Sequence, residues 1–96
     1  MASRAANKHR NTRKWVTSPS YEAAIKKIVS ARKEAGMSQA TLAKEVGKHP
    51  PWVAKVEQRE RRLDIIEFIA VARALGMKEA DLLRSISADL PKKPEI

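Results

Sequence analysis

The residues best able to do chemistry in this sequence cluster between positions 48 and 62, around Trp52. The cationic, imidazole and amide side chains of this cluster are Lys48, His49, Lys55, Gln58, Arg59, Arg61 and Arg62. Lysine, arginine and glutamine donate hydrogen bonds to phosphate oxygens and to acceptor atoms on the edges of bases. The cluster is therefore suited to an anionic partner that is rich in hydrogen-bond acceptors.

The overall charge favours the same class of partner but does not decide it. The chain has 96 residues, with 20 Lys and Arg against 11 Asp and Glu and a formal net charge of +9. A balance this basic is typical of proteins that bind nucleic acid. It is also compatible with a solubilising surface, an anionic membrane surface or an acidic protein partner, because net charge governs association and not fold.

The composition argues against several other kinds of site. The sequence has no cysteine, so neither a disulfide framework nor a thiolate metal site is expected. His9 and His49 lack the partners for metal or acid–base chemistry, and Ser38 is interpreted as a helix cap. We therefore predict no metal, no cofactor and no enzymatic activity. No apolar run approaches the ~18 residues of a membrane span, and no signal peptide is visible. We accordingly expect a cytoplasmic, nucleoid-associated location.

Short helices must position the cluster. Apolar residues at helical spacing predict five helices, over residues 19–35, 39–46, 50–58, 65–75 and 78–87. Their N-terminal caps are predicted at Ser18, Ser38, His49 and Asp64. The three glycines of the chain each follow a predicted helix end, where a positive φ is needed. The fourth helix has a predicted buried stripe of Ile65, Phe68, Ile69, Ala72 and Leu75. With no convincing strand, the predicted fold class is all-α.

Two consecutive prolines, Pro50 and Pro51, mark where the third helix begins. The first four N–H groups of a helix have no intrahelical partner, so prolines there forfeit no hydrogen bond. The turn at residues 47–49 contains glycine and joins two short helices, which is typical of a helix-turn-helix unit. Helical spacing turns Val53, Val56 and Glu57 inward. The side chains that it turns outward, toward a major groove, are those of Pro51, Trp52, Lys55, Gln58 and Arg59.

Two charges are predicted to lie on inward faces. Arg32 shares the apolar stripe of the first helix with Tyr21, Ile25 and Ile28, and Glu57 lies on the inner face of the third. Because a lone inward charge is costly, we predict a partly buried, structural Arg32–Glu57 ion pair. The alternative is that both side chains extend to solvent.

The two ends of the chain carry no helical pattern. Residues 1–18 are predicted to be a flexible basic arm, residues 19–88 the folded domain and residues 89–96 a frayed tail. The cations of the arm are Arg4, Lys8, Arg10, Arg13 and Lys14. The arm could follow phosphates or enter a minor groove, or it could be a tail without function.

From about Tyr21 to Leu83, the sequence resembles the lambda-repressor-like (Cro/xenobiotic-response-element, XRE) helix-turn-helix family. The match runs through ARKEAGMSQATLAKEVG, WVAKVEQRERRLD and IIEFIAVARALGMKEADLL. The resemblance implies a compact five-helix domain whose third helix lies in the major groove. It also implies transcriptional regulation, usually by a homodimer on a roughly palindromic operator.

The resemblance also implies a role for individual residues. Pro51, Trp52 and Lys55 occupy the positions that touch base edges. Phosphate contacts are implied for Gln39, Lys48, His49, Gln58, Arg59, Arg61 and Arg62. Three departures from the family pattern affect the site: Lys48 stands where an apolar residue is common, Pro51 replaces a frequent hydrogen-bonding residue, and Arg59 replaces the frequent glycine after the third helix. Lys55 could instead be a solvated surface lysine, and Trp52 could cover the edge of the core or a dimer contact.

We therefore predict a sequence-specific regulator that binds double-stranded DNA, a repressor acting as a homodimer. Candidate dimer residues are Leu82, Leu83, Ile86 and Leu90, although burial within one monomer is the alternative. An antitoxin or another protein-binding module, with DNA binding secondary, is the rival hypothesis. RNA binding is less well supported, because the aromatic platforms that bind single strands are lacking.

Overall fold

A computed structural model describes residues 14–96, with only the backbone at Lys14. A short 3₁₀ turn, Lys14–Thr17, precedes five helices: α1 Pro19–Glu34, α2 Gln39–Val46, α3 Pro50–Glu57, α4 Ile65–Ala74 and α5 Glu79–Ser87. No strand forms within residues 14–96. The all-α, five-helix fold predicted from the sequence is therefore confirmed. In the same range no helix combines the length and apolar character needed to cross a membrane.

Capping residues explain where the helices begin. The hydroxyl of Ser18 accepts a hydrogen bond from the Tyr21 amide at 3.1 Å, and Ser38 does the same at the start of α2. Asp64 and Glu67 form a complete capping box, in which each side chain accepts from the backbone of the other. His49 is extended, with φ −76° and ψ 149°, and makes no side-chain cap bond. The prolines after it therefore open α3 as predicted.

All five helices contribute to a single apolar core. Its buried side chains are Ile25, Ile28, Leu42, Ala43, Val53, Val56, Val71, Ala72, Leu75, Leu82 and Ile86. Two of the candidate dimer residues, Leu82 and Ile86, thus belong to the interior, and they are unavailable to a partner. The core sits directly behind α2 and α3, so it determines which faces of these two helices reach solvent.

One prediction about α4 is wrong. Ile65 was expected to lie on the buried stripe, but 74% of its surface is exposed. Phe68 and Ile69 are only half-buried. Ala72 and Leu75, at the end of the stripe, are buried, whereas the first turn of α4 lies at the edge of the core, against which Phe68 still packs. There Ile65 borders an open groove together with Phe68 and Leu83.

Both ends of the described chain pack against the start of α1, which differs from the predicted arm and frayed tail. The Trp15 ring meets the Tyr21 ring edge to face, with centroids 5.2 Å apart. The Ser18 hydroxyl donates to the Glu95 carbonyl at 2.9 Å, and the Ser20 hydroxyl donates to the Glu95 carboxylate. The bond from Ser20 lowers the pKa of Glu95. These contacts give the two buried serine hydroxyls their partners.

Candidate nucleic-acid interface

A tight turn joins α2 to α3 and holds the two helices together. Gly47 ends α2 with φ 76°, in the left-handed region. The Lys48 amide then donates to the Ala43 carbonyl at 2.8 Å, closing the end of α2. Ala43 is fully buried. A small residue at that point lets α3 pack closely, so that the two helices form a helix-turn-helix unit.

The orientation predicted for α3 is present. Val53 and Val56 are 2% and 4% exposed and lie in the core. Pro51 and Lys55 lie on the opposite, exposed face. Lys55 forms no ion pair with any residue in the described part of the chain, so its ammonium group is available to a ligand. His49, Lys48 and Gln58 are exposed at the two ends of the helix.

Trp52 lies at the edge of the core instead of projecting from α3. Its ring is half-buried and packs against the core residues. The indole N–H is buried and has no hydrogen-bond partner among residues 14–96. Because this N–H is buried, it does not reach a ligand from this position. The predicted alternative, cover for the edge of the core, describes what the structure contains.

Two cations flank the Trp52 ring. Lys48 Nζ lies 5.6 Å from the ring centroid, and the guanidinium carbon of Arg61 lies 5.4 Å from it. Both distances are within the range of cation–π attraction. The Trp52 ring therefore positions Lys48 and Arg61, two of the residues with predicted phosphate contacts.

A carboxylate that the sequence analysis missed holds Arg61 in place. The guanidinium donates to both Glu67 oxygens, at 2.9 and 2.8 Å. Burial raises the pKa of Glu67, but hydrogen bonds from Arg61 and from the Asp64 backbone outweigh it, and the pKa lies below its ordinary value. The capping-box pattern, Asp64 followed three residues later by Glu67, was a signal that could have located this carboxylate.

Behind α3, Glu57 is the centre of a buried hydrogen-bond network. Arg32 donates to its two oxygens at 2.7 and 3.0 Å, so the predicted ion pair is present. The side chains of Arg32 and Glu57 are only 10% and 8% exposed. Arg32 also donates to the Met37 carbonyl at 2.8 Å. The two charged groups of this network, the Arg32 guanidinium and the Glu57 carboxylate, therefore both have close hydrogen-bond partners.

Gln39 belongs to the same network and not to the outer surface. Its amide nitrogen donates to a Glu57 oxygen at 2.8 Å. Glu57 offers a partly buried acceptor within reach of the start of α2. One of the two amide N–H groups of Gln39 is thus engaged inside the domain, and its phosphate contact stays a prediction.

Arg59 and Arg62 contact α1 and the turn that precedes it, and their phosphate contacts stay predictions. Arg59 Nε donates to the Val16 carbonyl at 3.3 Å, and its Nη1 lies 3.8 Å from a Glu22 oxygen. The Arg62 guanidinium lies over the Trp15 and Tyr21 rings. Arg59 has a φ of 62°, a left-handed conformation that reverses the chain after α3 and directs the loop toward α1.

Part of the predicted site lies outside the described residues. The cations of the predicted arm that precede the described range are Arg4, Lys8, Arg10 and Arg13. The side chain of Lys14 is likewise outside what is described. The residues brought together on one exposed surface are Lys48, His49, Pro51, Lys55, Gln58 and Arg61. We call this set the α3 face. It combines several cations with an unpaired lysine at its centre.

Comparison with known proteins agrees with this geometry. A family described as Helix-turn-helix matches residues 28–82. An XRE-family like protein from Pseudomonas syringae pv. tomato str. DC3000 is 34% identical with a TM-score of 0.69, over 91% of this chain and 98% of that chain. The clp gene regulator ClgR from C. glutamicum has a similar fold, at 22% identity and a TM-score of 0.65, over 75% of this chain and 94% of that chain. No curated protein matches significantly. The chain therefore belongs to the XRE family of helix-turn-helix DNA-binding transcription regulators.

Proposed function

We propose that the protein is a repressor that recognises a specific duplex sequence by placing α3 in the major groove. The observation that carries this proposal is the exposed, unpaired Lys55 on a helix whose opposite face is locked into the core by Val53 and Val56. A lysine in the major groove donates to O6 and N7 of guanine. Lys55 is therefore the residue that we assign to base recognition.

The cations around Lys55 supply the part of the affinity that does not depend on sequence. Lys48 and Arg61 flank Trp52 at one side of the α3 face, and His49 and Gln58 stand at the ends of the helix. Contacts from such side chains to phosphates position a protein on the duplex, whereas contacts to base edges determine which duplex is bound. Repression follows most simply from this arrangement, because occupation of a promoter requires no further surface.

Selection of bound sequences from a random duplex pool tests the assignment of Lys55. We expect the Lys55→Ala variant to lose preference for one guanine-containing base pair, with a cost of about 1–3 kcal/mol in binding free energy. Lys78, exposed at the start of α5, provides the matched control, and Lys78→Ala should leave the preference intact. An unchanged consensus for Lys55→Ala would remove the basis of the proposal.

We also infer that the protein acts as a homodimer through an apolar patch on α4 and α5. The patch consists of Ile65, Ile66, Phe68, Ile69 and Leu83. Ile65, Ile66 and Leu83 are 74%, 70% and 57% exposed, and Ile65 and Leu83 border an apolar groove between the two helices together with Phe68 and Ile69. An exposed apolar surface of this kind is typical of a protein contact.

Position favours a second copy of this chain as the partner on the patch. Glu67, in the first turn of α4, bonds Arg61, and Arg61 lies against Trp52 of α3. A partner on the patch thus lies beside the α3 face. A two-fold contact there would present two copies of α3 to one palindromic site.

Sedimentation of the protein and of an Ile65→Glu/Leu83→Glu variant tests the dimer. We expect the variant to be monomeric and to bind a single half-site, while it loses most of its affinity for the full palindrome. Ala35→Glu/Ala88→Glu adds the same charge at exposed positions outside the patch and should leave the dimer intact. A wild-type monomer that binds only one half-site would contradict the inference and would favour a protein-binding module whose patch serves another partner.

A further inference from the structure

We propose that Pro51 is a specificity-determining residue whose ring packs on the C5-methyl group of a pyrimidine in the major groove, close to the guanine that Lys55 contacts. Thymine and 5-methylcytosine both carry this methyl group. The inference rests on the proposed function, because it assumes that α3 lies in the groove. It adds an apolar contact of defined position to the polar contact assigned to Lys55.

Pro51 lies on the side of α3 that is turned directly away from the core. Successive residues of a helix are about 100° apart around its axis. Val53 and Val56 are buried and mark the inner side. Pro51, Lys55 and Gln58 are exposed and share the outer stripe, at positions i, i+4 and i+7. The ring of Pro51 is therefore presented to any duplex that Lys55 contacts.

The start of α3 accounts for one proline but not for the second. Pro50 occupies the first helical position, where the fixed φ of proline favours entry into a helix. It also restrains the preceding residue, and His49 is extended with ψ 149°. Pro51 follows when the helix has already begun, and its ring is exposed. The exposed ring of Pro51 therefore calls for an explanation other than helix initiation.

The chemistry of proline limits what Pro51 can recognise. It has no N–H to donate, and its ring is apolar. The backbone beside it offers no substitute, because Pro50 also lacks an N–H and the Trp52 amide already donates to the His49 carbonyl at 2.9 Å. The apolar group that base edges display in the major groove is the C5-methyl of thymine, and 5-methylcytosine displays the same group. Contact with this methyl group is thus the interaction open to Pro51.

The positions of the other α3 side chains leave the methyl contact to Pro51. Trp52, the other apolar candidate for base contact, is half-buried and packs against the core. The exposed residues of α3 are Pro50, Pro51 and Lys55, and Pro50 lies about 100° around the helix from Pro51. A proline ring also loses no rotamer freedom on binding. The gain from burying the methyl group is therefore not offset by side-chain ordering.

The shared stripe predicts where the methyl group lies. Four residues of an α-helix span about 6 Å along its axis, and successive base pairs are about 3.4 Å apart. The methyl group read by Pro51 should therefore lie within about three base pairs of the guanine read by Lys55.

Removal and addition of single methyl groups in the selected duplex test the inference. Uracil replaces each thymine in turn, which removes the methyl group and keeps the hydrogen-bonding groups. In a second series, 5-methylcytosine replaces each cytosine. We expect one thymine replacement near the guanine to weaken wild-type binding about fourfold if thymine is the base read, or one cytosine replacement to strengthen it about fourfold if 5-methylcytosine is. The same replacement should change binding of Pro51→Ser by less than about 1.5-fold.

Pro91→Ser makes the same exchange at an exposed position outside α3 and should keep the full methyl effect. Pro51→Ala, which retains a Cβ, should keep part of it, and thermal melting checks that each variant is folded. A wild-type protein that responds to no methyl group would overturn the inference. So would a methyl effect of equal size in wild type and Pro51→Ser, or one that Pro50→Ser abolishes and Pro51→Ser does not.

These outcomes are separable from failure of the proposed function. If Lys55→Ala changes the selected consensus while no methyl effect depends on Pro51, base recognition by α3 stands and the role assigned to Pro51 is wrong. If the wild-type protein selects no duplex sequence, both proposals are wrong.

Discussion

Two arginine–glutamate pairs lie near α3, and their comparison shows how one kind of contact serves two purposes. Arg32 and Glu57, the inner pair, bond at 2.7 and 3.0 Å between α1 and α3, and Arg61 and Glu67, the outer pair, bond at 2.9 and 2.8 Å between the loop after α3 and α4. The side chains of the first pair are 10% and 8% exposed, whereas those of the second are 40% and 14% exposed. The geometry is nearly the same, but the surroundings differ.

The surroundings decide what each pair contributes. The inner pair joins α1 to α3 and, through Gln39, to α2, so it fixes the angle of α3. Water cannot replace either partner there, and each charge depends on the other. The outer pair adds little stability because solvent screens it. Its contribution is to hold Arg61 against Trp52 with part of the guanidinium still open to a ligand.

The strongest test of this contrast is removal of the inner carboxylate. Glu57→Ala leaves Arg32 buried without its partner, and we expect a loss of about 3–5 kcal/mol in the free energy of unfolding. Urea denaturation measures it. A double replacement, Arg32→Met with Glu57→Leu, removes both charges and should cost far less. If Glu57→Ala melts at the wild-type temperature, the inner pair does not carry this role.

Replacement of the Trp52 ring, which lies against Arg61 of the outer pair, should have an intermediate effect. Trp52→Ala removes half-buried apolar surface, and we expect a destabilisation of about 2 kcal/mol, below the range for a fully buried tryptophan. The same variant should also weaken DNA binding, because Lys48 and Arg61 lose the aromatic ring that they lie against. Trp52→Phe keeps a ring and leaves no buried N–H without a partner, so its stability should stay within about 1 kcal/mol of wild type. If Trp52→Ala and Trp52→Phe weaken DNA binding equally, the ring does not position Lys48 and Arg61.

The smallest effect is expected at the outer carboxylate. Glu67→Gln should cost no more than about 1 kcal/mol at neutral pH. Since the pKa of Glu67 is lowered in the folded state, its ionised form stabilises the domain above its ordinary value of 4.5, and this contribution is lost as pH falls through the folded pKa. Unfolding measured between pH 6 and 3 should therefore show a shallower acid dependence in Glu67→Gln. Glu34→Gln, at an exposed site, is the control, and an identical slope for all three proteins would contradict the expectation.

The sequence predicted the helices well because their ends depend on local chemistry. Capping serines and Asp64, the paired prolines and the glycines each act within a few residues of their own position. Helical spacing also predicted the inner ion pair, since it placed Arg32 and Glu57 on apolar faces. These inferences needed no knowledge of how the helices are arranged.

What the sequence did not predict depends on tertiary arrangement. Helical spacing shows which face of α4 carries Ile65. It does not show that the first turn of α4 lies at the edge of the core. The long side chains of Gln39 and Arg59 found acceptors in other elements, and no local pattern specifies such a choice. The roles assigned to Lys55 and to the cations of the α3 face stay predictions, because only a bound duplex tests them.

The hydrogen bonds of Glu95 with Ser18 and Ser20 join segments that are 77 and 75 positions apart in the chain. A short peptide joining Ile96 to the Lys14–Thr17 turn would thus close the polypeptide into a ring with the five helices in place. The ring can be reopened at the exposed Gly76, between α4 and α5. Such a circular permutant would move the free ends to the turn between α4 and α5, without cutting the helix-turn-helix unit.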